Sequence, residues 1–129
     1  MPSIEELKTW SVLIVDDEPD NLAVIADTLT FFGLRVQRAL TADKALELLT
    51  QKPPRLILLD LSMPEIDGWT FLRRLKTDEC WREILVVALS AHAMVGDRER
   101  AIAAGFDGYI TKPVNVPTLL RDICKEIRD

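Results

Sequence analysis

Four apolar segments of the sequence end in residues whose types suit phosphoryl chemistry. Asp16 and Asp17 follow the first of these segments, Asp60 and Ser90 end the next two, and Lys112 follows the last. Carboxylates that meet in space repel one another unless a cation lies between them, and Mg2+ accepts oxygens of this kind. A lysine can pair with an acid or with a phosphate oxygen, and a serine hydroxyl can donate to the same oxygen.

The reaction that these residues favour is attack by an aspartate on a phosphoryl group. Carboxylates act as nucleophiles in this way and form acyl phosphates. Phosphoryl transfer depends mainly on positioning and on neutralising charge, which a cation and a lysine would supply. No histidine or cysteine lies near the three acids in the sequence, which disfavours zinc as the cation.

The composition indicates a single globular domain. The chain has 129 residues, of which 48% are hydrophobic and 29% charged, and its net charge is -5. This acidic balance gives no general attraction for nucleic acid or anionic membrane, so neither is an expected partner. The sequence shows no secretory signal and no apolar run approaching the roughly 20 residues that cross a bilayer. We therefore expect a cytoplasmic protein in which Cys80 and Cys124 are reduced thiols.

Apolar runs alternate along the chain with segments of helical periodicity. Strands are predicted at residues 11–15, 35–39, 56–60, 84–90 and 108–111. Helices are predicted at residues 19–33, 41–51 and 69–76, in a segment that includes Arg98 and runs up to Gly105, and from an N-cap at Asn115 to the chain end. Strands that are apolar on both faces and separated by helices indicate a five-stranded, doubly wound parallel sheet with helices on both faces.

The position of the polar residues in this fold predicts where a ligand binds. Ligands of open parallel sheets bind beyond the carboxyl ends of the strands. Four of the five predicted strands deliver an acid, a hydroxyl or a lysine to that edge. The three acids, the serine and the lysine are therefore expected to lie together.

The first ten residues precede this pattern. Ser3 and Glu6 have the spacing of a capping box, which leaves open either a short helix or a frayed tail. We therefore divide the chain into an N-terminal extension, residues 1–10, and one domain, residues 11–129.

Four motifs resemble the receiver domains of two-component response regulators. The motifs are VLIVDDEPDN, LILLDLSMPEIDG, VVALSA and GYITKP, and the resemblance covers residues 11–128, nearly the whole chain. The ordered set DD, D, S and KP is specific to that family. The resemblance implies a chemotaxis-regulator-like domain with the flavodoxin-like strand order 2-1-3-4-5.

The resemblance also implies a role for each acid. Asp60 would be the phosphoacceptor, receiving its phosphoryl group from a phosphohistidine on a histidine kinase or a histidine phosphotransfer protein. Asp17 and Asp60 would bind Mg2+ directly, with Mn2+ as a substitute ion, and Asp16 would bind it mostly through water. The backbone carbonyl of Ser62 would complete the metal ligands from the protein.

Further residues are expected to bind the phosphate and to respond to it. Ser90, the amide of Ala91 and Lys112 would bind the phosphoryl oxygens. Tyr109 would be the aromatic switch that turns inward when Ser90 moves, and the Lys112–Pro113 bond would be cis.

Ser62 and His92 are expected to tune the lifetime of the phosphorylated form. In the receiver family, the side chains at these two positions flank the path of the hydrolytic water. His92 is the only histidine in the sequence, and the alternative is an exposed loop residue without a role.

The resemblance implies a signalling domain rather than an enzyme, with self-phosphorylation and slow autodephosphorylation. The expected output surface is formed by the helix that ends near Gly105, the fifth strand and the last helix; in the family these are helix 4, strand 5 and helix 5. A downstream protein would bind there, and the chain would be a monomer or a phosphorylation-dependent dimer.

Two other functions stay open at this point. A magnesium-dependent phosphohydrolase with an aspartyl nucleophile commonly has a second aspartate two residues after the first, where this chain has Ser62. A flavodoxin-like cofactor binder would need a loop rich in Ser, Thr and Gly after the first strand, where this chain has DDEPDN.

Overall fold

A parallel sheet of five strands forms the centre of the computed structural model, which describes residues 2–63, 67–91 and 94–127. The strand order is β2-β1-β3-β4-β5, and all neighbouring strands are parallel. The strands are β1 (Ser11–Val15), β2 (Arg35–Ala39), β3 (Leu56–Asp60), β4 (Leu85–Ser90) and β5 (Gly108–Thr111). This topology confirms the predicted fold.

Six α-helices connect and flank the strands within the described ranges. They are α1 (Ile4–Leu7), α2 (Pro19–Phe31), α3 (Ala42–Gln51), α4 (Gly68–Thr77), α5 (Asp97–Ala104) and α6 (Leu119–Glu126). Gly33 follows α2 with φ of 101°, the left-handed conformation expected at a helix end.

The first turn of the last helix differs from the prediction. Residues Val116–Thr118 form a 3-10 turn, and α6 begins only at Leu119. Asn115 occupies the N-cap position of this 3-10 turn, as predicted, although its side chain makes no capping hydrogen bond. Pro117 lies in this turn, where its missing N–H is tolerated, and 3-10 turns are frequent at helix ends.

Alternating side chains of each central strand point into two separate cores, one on each face of the sheet. In β1, Val12 and Ile14 pack in the cluster that includes residues of α1, α2 and α6. Leu13 and Val15 pack in the opposite cluster, with residues of α3, α4 and α5. Because both faces are covered, β3 is buried along its whole length, including its terminal Asp60.

The N-terminal residues form a short helix that packs on the domain. The Ser3 hydroxyl accepts a hydrogen bond from the Glu6 amide at 3.1 Å, and the Glu6 side chain reaches back to the Ser3 amide. Leu7 is fully buried in the same core cluster as α6. The boundary of the domain at residue 11 stays a prediction.

Gly108 allows the end of α6 to lie directly against β5. A Cβ atom at this position would lie 2.6 Å from the Glu126 Cβ and 3.0 Å from the Glu126 carbonyl oxygen. One atom is a backbone oxygen and the other is a Cβ bonded directly to the backbone. Neither can move away without displacing the end of α6.

We expect Gly108→Ala to lower the free energy of unfolding by about 1–3 kcal/mol, the usual cost of overpacking a tight contact. Urea denaturation measures this change. An unchanged denaturation midpoint would show that α6 can shift away from β5 at little cost.

Candidate functional site

The carboxyl ends of the strands bring the predicted acids and the lysine together. Asp16 follows directly after β1, Asp60 is the last residue of β3, and Lys112 follows directly after β5. The backbone N–H of Lys112 donates to the Ser90 carbonyl at 2.8 Å, which fixes the lysine beside the end of β4.

The ammonium group of Lys112 bridges two buried carboxylates. Its Nζ lies 3.0 Å from Oδ2 of Asp16 and 2.9 Å from Oδ2 of Asp60. The two aspartate side chains are 0% and 2% exposed, and the lysine side chain is 11% exposed. Burial of charges is costly unless they are paired and hydrogen bonded, so the three groups stabilise one another.

Both acids also accept hydrogen bonds from residues that follow their strands. Oδ1 of Asp16 accepts from the Glu18 amide at 2.9 Å, and Oδ2 of Asp16 accepts from the Asn21 side-chain amide. Oδ1 of Asp60 accepts from the Ser62 amide at 2.8 Å. Asn21 was not predicted as a site residue, although its place in the DDEPDN motif was a signal that could have identified it.

Burial and nearby charges shift the pKa values of the site. Burial raises the pKa of Asp60, and the negative charge of Asp16 adds to this effect, whereas the Ser62 amide and Lys112 act against it. Burial acts to lower the pKa of Lys112, but its hydrogen bonds and charge interactions with Asp60 and Asp16 outweigh this, so the pKa is raised. Lys112 therefore stays charged.

The acidic cluster fits a hard divalent cation. Asp16, Asp17 and Asp60 can each offer one carboxylate oxygen such that all three atoms lie within 4.8 Å of one another. Mg2+ is bound by one or two carboxylates together with water and phosphate oxygens, and Mn2+ also prefers oxygen ligands. The carbonyl of Ser62 as a further ligand stays a prediction.

The residues predicted to bind phosphate lie at the same edge of the sheet. Ser90 ends β4 and is 7% exposed, and the next residue, Ala91, is exposed. The Lys112–Pro113 bond is cis, as expected from the resemblance. His92 and Pro64 lie outside the described residues, so the structure provides no description of them.

The ring of Tyr109 is already inside the protein. Tyr109 is 7% exposed and belongs to the core cluster that packs against α3, α4 and α5. Its hydroxyl is buried and has no hydrogen-bond partner in the part of the chain that the structure describes.

A cavity of about 530 Å³ opens beside the phosphate-binding edge. Ser62, Ser90, Trp69 and Tyr109 are among its lining residues. The Trp69 ring packs edge-to-face on Phe106, with 5.5 Å between the ring centroids. The cavity leaves space beside Ser62 and Ser90, where water or a partner side chain can approach.

We expect Asp60→Asn to raise the free energy of unfolding near neutral pH, because it removes a carboxyl group whose charged form is disfavoured by burial. The pKa of Asp60 is raised above its ordinary value of 3.8, so the folded protein holds this proton more tightly than the unfolded chain. That stabilising contribution is complete below pH 3.8 and is lost as the pH rises through the raised pKa. The gain from the substitution should therefore shrink in acid.

Urea denaturation without divalent cations, at several pH values, measures this effect. Asp67→Asn is the matched control, because Asp67 is an exposed N-cap whose pKa is lowered by hydrogen bonds from the Thr70 hydroxyl and the Trp69 amide. Asparagine caps helices about as well as aspartate, so the control should bring no gain. Equal effects of the two substitutions would contradict the destabilising effect of burying the Asp60 carboxylate.

The comparison with protein families gives a match over most of the chain. The model described as "Response regulator receiver domain" matches residues 12–124. Curated relatives named "Polar-differentiation response regulator DivK" include that of Brucella ovis, which is 37% identical over 121 residues, covering 94% of this chain and 98% of the relative.

Solved structures show the same fold. The N-terminal domain of a response regulator receiver protein from Methanoculleus marisnigri is 34% identical, with a TM-score of 0.74 and coverage of 88% of this chain and 93% of that chain. The chemotaxis response regulator CheY4 of Vibrio cholerae has a TM-score of 0.83 and covers 92% of this chain and 99% of that chain. At 24% identity, this second likeness shows the fold alone.

Proposed function

The chain belongs to the response regulator receiver domain family, and we propose that Asp60 is its phosphoacceptor in a phosphorylation-controlled switch. Receiver domains act in two-component signalling as switches, not as classical enzymes. The observation that supports the assignment most strongly is the bridge from Lys112 to the buried Asp60 and Asp16 within the acidic cluster.

In the proposed reaction, a carboxylate oxygen of Asp60 attacks the phosphorus of a phosphohistidine. The new O–P bond forms as the N–P bond breaks, and the imidazole of the donor leaves with the electron pair of that bond. Asp16, Asp17 and Asp60 would hold Mg2+, or Mn2+ in its place, and the bound ion would neutralise charge on the phosphoryl oxygens. Lys112 then has a phosphoryl oxygen as a further partner for its ammonium group.

The phosphoryl group would be bound by residues at the end of β4. In this proposal the Ser90 hydroxyl and the Ala91 amide donate to phosphoryl oxygens, and the adjacent loop moves towards Asp60. A phosphoryl group adds strong acceptors and about one to two negative charges, which can bias a loop with two positions. The Tyr109 ring would then favour the inward position, which is the position that it has in the structure.

Ser62 and His92 are proposed to set the lifetime of the phosphorylated form. Ser62 is exposed and lines the cavity beside the phosphate-binding edge, so its small side chain leaves room for an attacking water. His92 follows Ser90 by two residues, and histidine is the side chain whose charge changes most readily near neutral pH.

Receiver domains interact with phosphodonor proteins and with downstream targets. We propose that a histidine kinase or histidine phosphotransfer protein is the donor here, and that the target binds the surface formed by α5, β5 and α6. A monomer or a phosphorylation-dependent dimer fits this scheme. Within the described ranges, no helix is both long enough and apolar enough to span a membrane. The cytoplasmic location stays a prediction.

The phosphohydrolase alternative is not favoured. The family match and the receiver relatives identify a signalling domain. The position two residues after Asp60 is Ser62, which cannot act as a carboxylic acid for a leaving group.

We expect one labile phosphoryl group per chain after incubation with acetyl phosphate and Mg2+. The adduct should disappear in Asp60→Asn, because an amide cannot act as the nucleophile, and should decrease when EDTA removes the metal. Intact-protein mass spectrometry at neutral pH measures the adduct.

Asp78→Asn is the control for this experiment, because Asp78 lies at the end of α4 and away from the acidic cluster. Its adduct should equal that of the unchanged protein. Sustained turnover of a general phosphate ester such as p-nitrophenyl phosphate, with no stable adduct, would support the phosphohydrolase instead.

We expect Asp17→Asn to weaken Mg2+ binding by about tenfold or more, since loss of a group that supports a metal site commonly costs 10–100-fold in affinity. Isothermal titration calorimetry measures the dissociation constant. Asp20→Asn, a change at an exposed residue of α2, is the control and should leave the affinity unchanged. Equal affinities of all three proteins would exclude Asp17 as a ligand.

A further inference from the structure

Both backbone polar groups of Tyr109 are held by side chains from two different helices. The Tyr109 N–H donates to Oε1 of Glu126, in α6, at 2.9 Å. The Tyr109 carbonyl accepts from Nη1 of Arg98, in α5, at 3.4 Å. The same Arg98 and Glu126 atoms form an ion pair, so the three residues make one closed network, called here the Tyr109 clamp.

The clamp lies on the open edge of the sheet. β5 is the last strand in the order β2-β1-β3-β4-β5, so among the described residues one of its edges has no neighbouring strand. The Lys112 N–H faces inward, towards Ser90. Because alternate N–H groups of a strand point in opposite directions, the Tyr109 N–H, three residues earlier, points towards the open edge. Without the clamp, the N–H and carbonyl groups of Tyr109 would be free to bind water or another strand.

The ring of Tyr109 needs support of this kind. Its buried hydroxyl has no hydrogen-bond partner in the described parts of the chain, and leaving such a group unsatisfied costs stability. The ring is nevertheless inside the core, beside the cavity that also contacts Ser62 and Ser90. Two favourable contributions oppose the cost of the unpaired hydroxyl. They are the apolar packing of the ring in the core and the hydrogen bonds that hold the Tyr109 backbone.

Gly108 makes the clamp geometrically feasible. It precedes Tyr109, and the absence of a Cβ atom lets Glu126 approach β5. The side chains of Arg98 and Glu126 are 37% and 19% exposed, so a partner on the surface of α5, β5 and α6 could reach the pair.

We propose that Arg98 and Glu126 are positioning residues for Tyr109, which hold its backbone from the open edge of β5 and so favour the inward position of its ring. This inference rests on the proposed role of Tyr109 as the switch residue. Coupling between two sites is reciprocal. A phosphoryl group at Asp60 that favours the inward ring therefore strengthens the clamp, and a partner that breaks the clamp weakens the phosphorylated state.

Fluorine NMR tests this proposal directly, because Tyr109 is the only tyrosine in the chain. Incorporation of 3-fluorotyrosine therefore gives signals from one site. Beryllofluoride with Mg2+ serves as the phosphoryl analogue, and its titration gives both the ring signal and an apparent dissociation constant.

In Glu126→Ala, we expect the ring signal of the free protein to move towards the position of a solvent-exposed tyrosine. The apparent dissociation constant for beryllofluoride should rise about fivefold or more, the usual lower range for coupled sites. Glu126→Gln retains an acceptor for the Tyr109 N–H but loses the charge that pairs with Arg98, so its effect should be intermediate.

Asp27→Ala is the matched control, because it removes the Arg38–Asp27 ion pair, which joins α2 to β2 at 2.7 Å and lies outside the Tyr109 clamp. This variant should bind beryllofluoride as the unchanged protein does. Urea denaturation of both variants shows whether they are folded, and Glu126→Gln supplies the comparison if Glu126→Ala unfolds.

The outcomes distinguish failure of the clamp proposal from failure of the proposed switch role of Tyr109. If beryllofluoride moves the Tyr109 signal of the unchanged protein, but both Glu126 variants titrate as the Asp27→Ala control does, the clamp proposal is wrong. If beryllofluoride binds the unchanged protein without moving the Tyr109 signal, the proposed switch role of Tyr109 is wrong, and the clamp proposal that rests on it is overturned as well.

Discussion

A single buried ammonium group, that of Lys112, holds two buried carboxylates at the end of the sheet. Asp16 and Asp60 are almost inaccessible to water, and each has an oxygen within 3.0 Å of the lysine Nζ. Neither acid would be tolerated there without a cation, and the lysine would be equally costly without the acids. One positive charge does not balance the acidic cluster, so the site retains an attraction for a dication and for the phosphoryl group that a dication accompanies.

The rest of the fold satisfies the constraint that this interaction imposes. Parallel strands in the order β2-β1-β3-β4-β5 place the end of β1 beside that of β3 and the end of β4 beside that of β5. Helices on both faces of the sheet bury β3 completely, so the Asp60 side chain is shielded from solvent. The turns after β1 and β3 each direct a backbone amide at an acid, and the link from Lys112 to Ser90 joins the site to the loop after β4.

The local pattern of the sequence was enough to predict the strands and the polar residues at their ends. Apolar runs that end in polar residues located the strands, and the polar residues were those that the structure brings together. The sequence pattern could not predict contacts that depend on the direction of side chains. Examples are the hydrogen bond from Asn21 to Asp16 and the ion pair between Arg98 and Glu126, which are 28 positions apart in the chain. Asn115 was correctly predicted as the N-cap position, but the pattern did not show that the first turn is a 3-10 turn or that the Asn115 side chain makes no capping hydrogen bond.

The most direct measurement is to locate the phosphoryl group on the chain. Borohydride reduces an aspartyl phosphate to homoserine, and tryptic peptides then separate Asp60 from Asp16 and Asp17, because Arg35 and Arg55 lie between them. We expect homoserine at position 60 alone after treatment with acetyl phosphate and Mg2+. Homoserine at position 16 or 17, or none at any aspartate of a folded and metal-loaded protein, would contradict it.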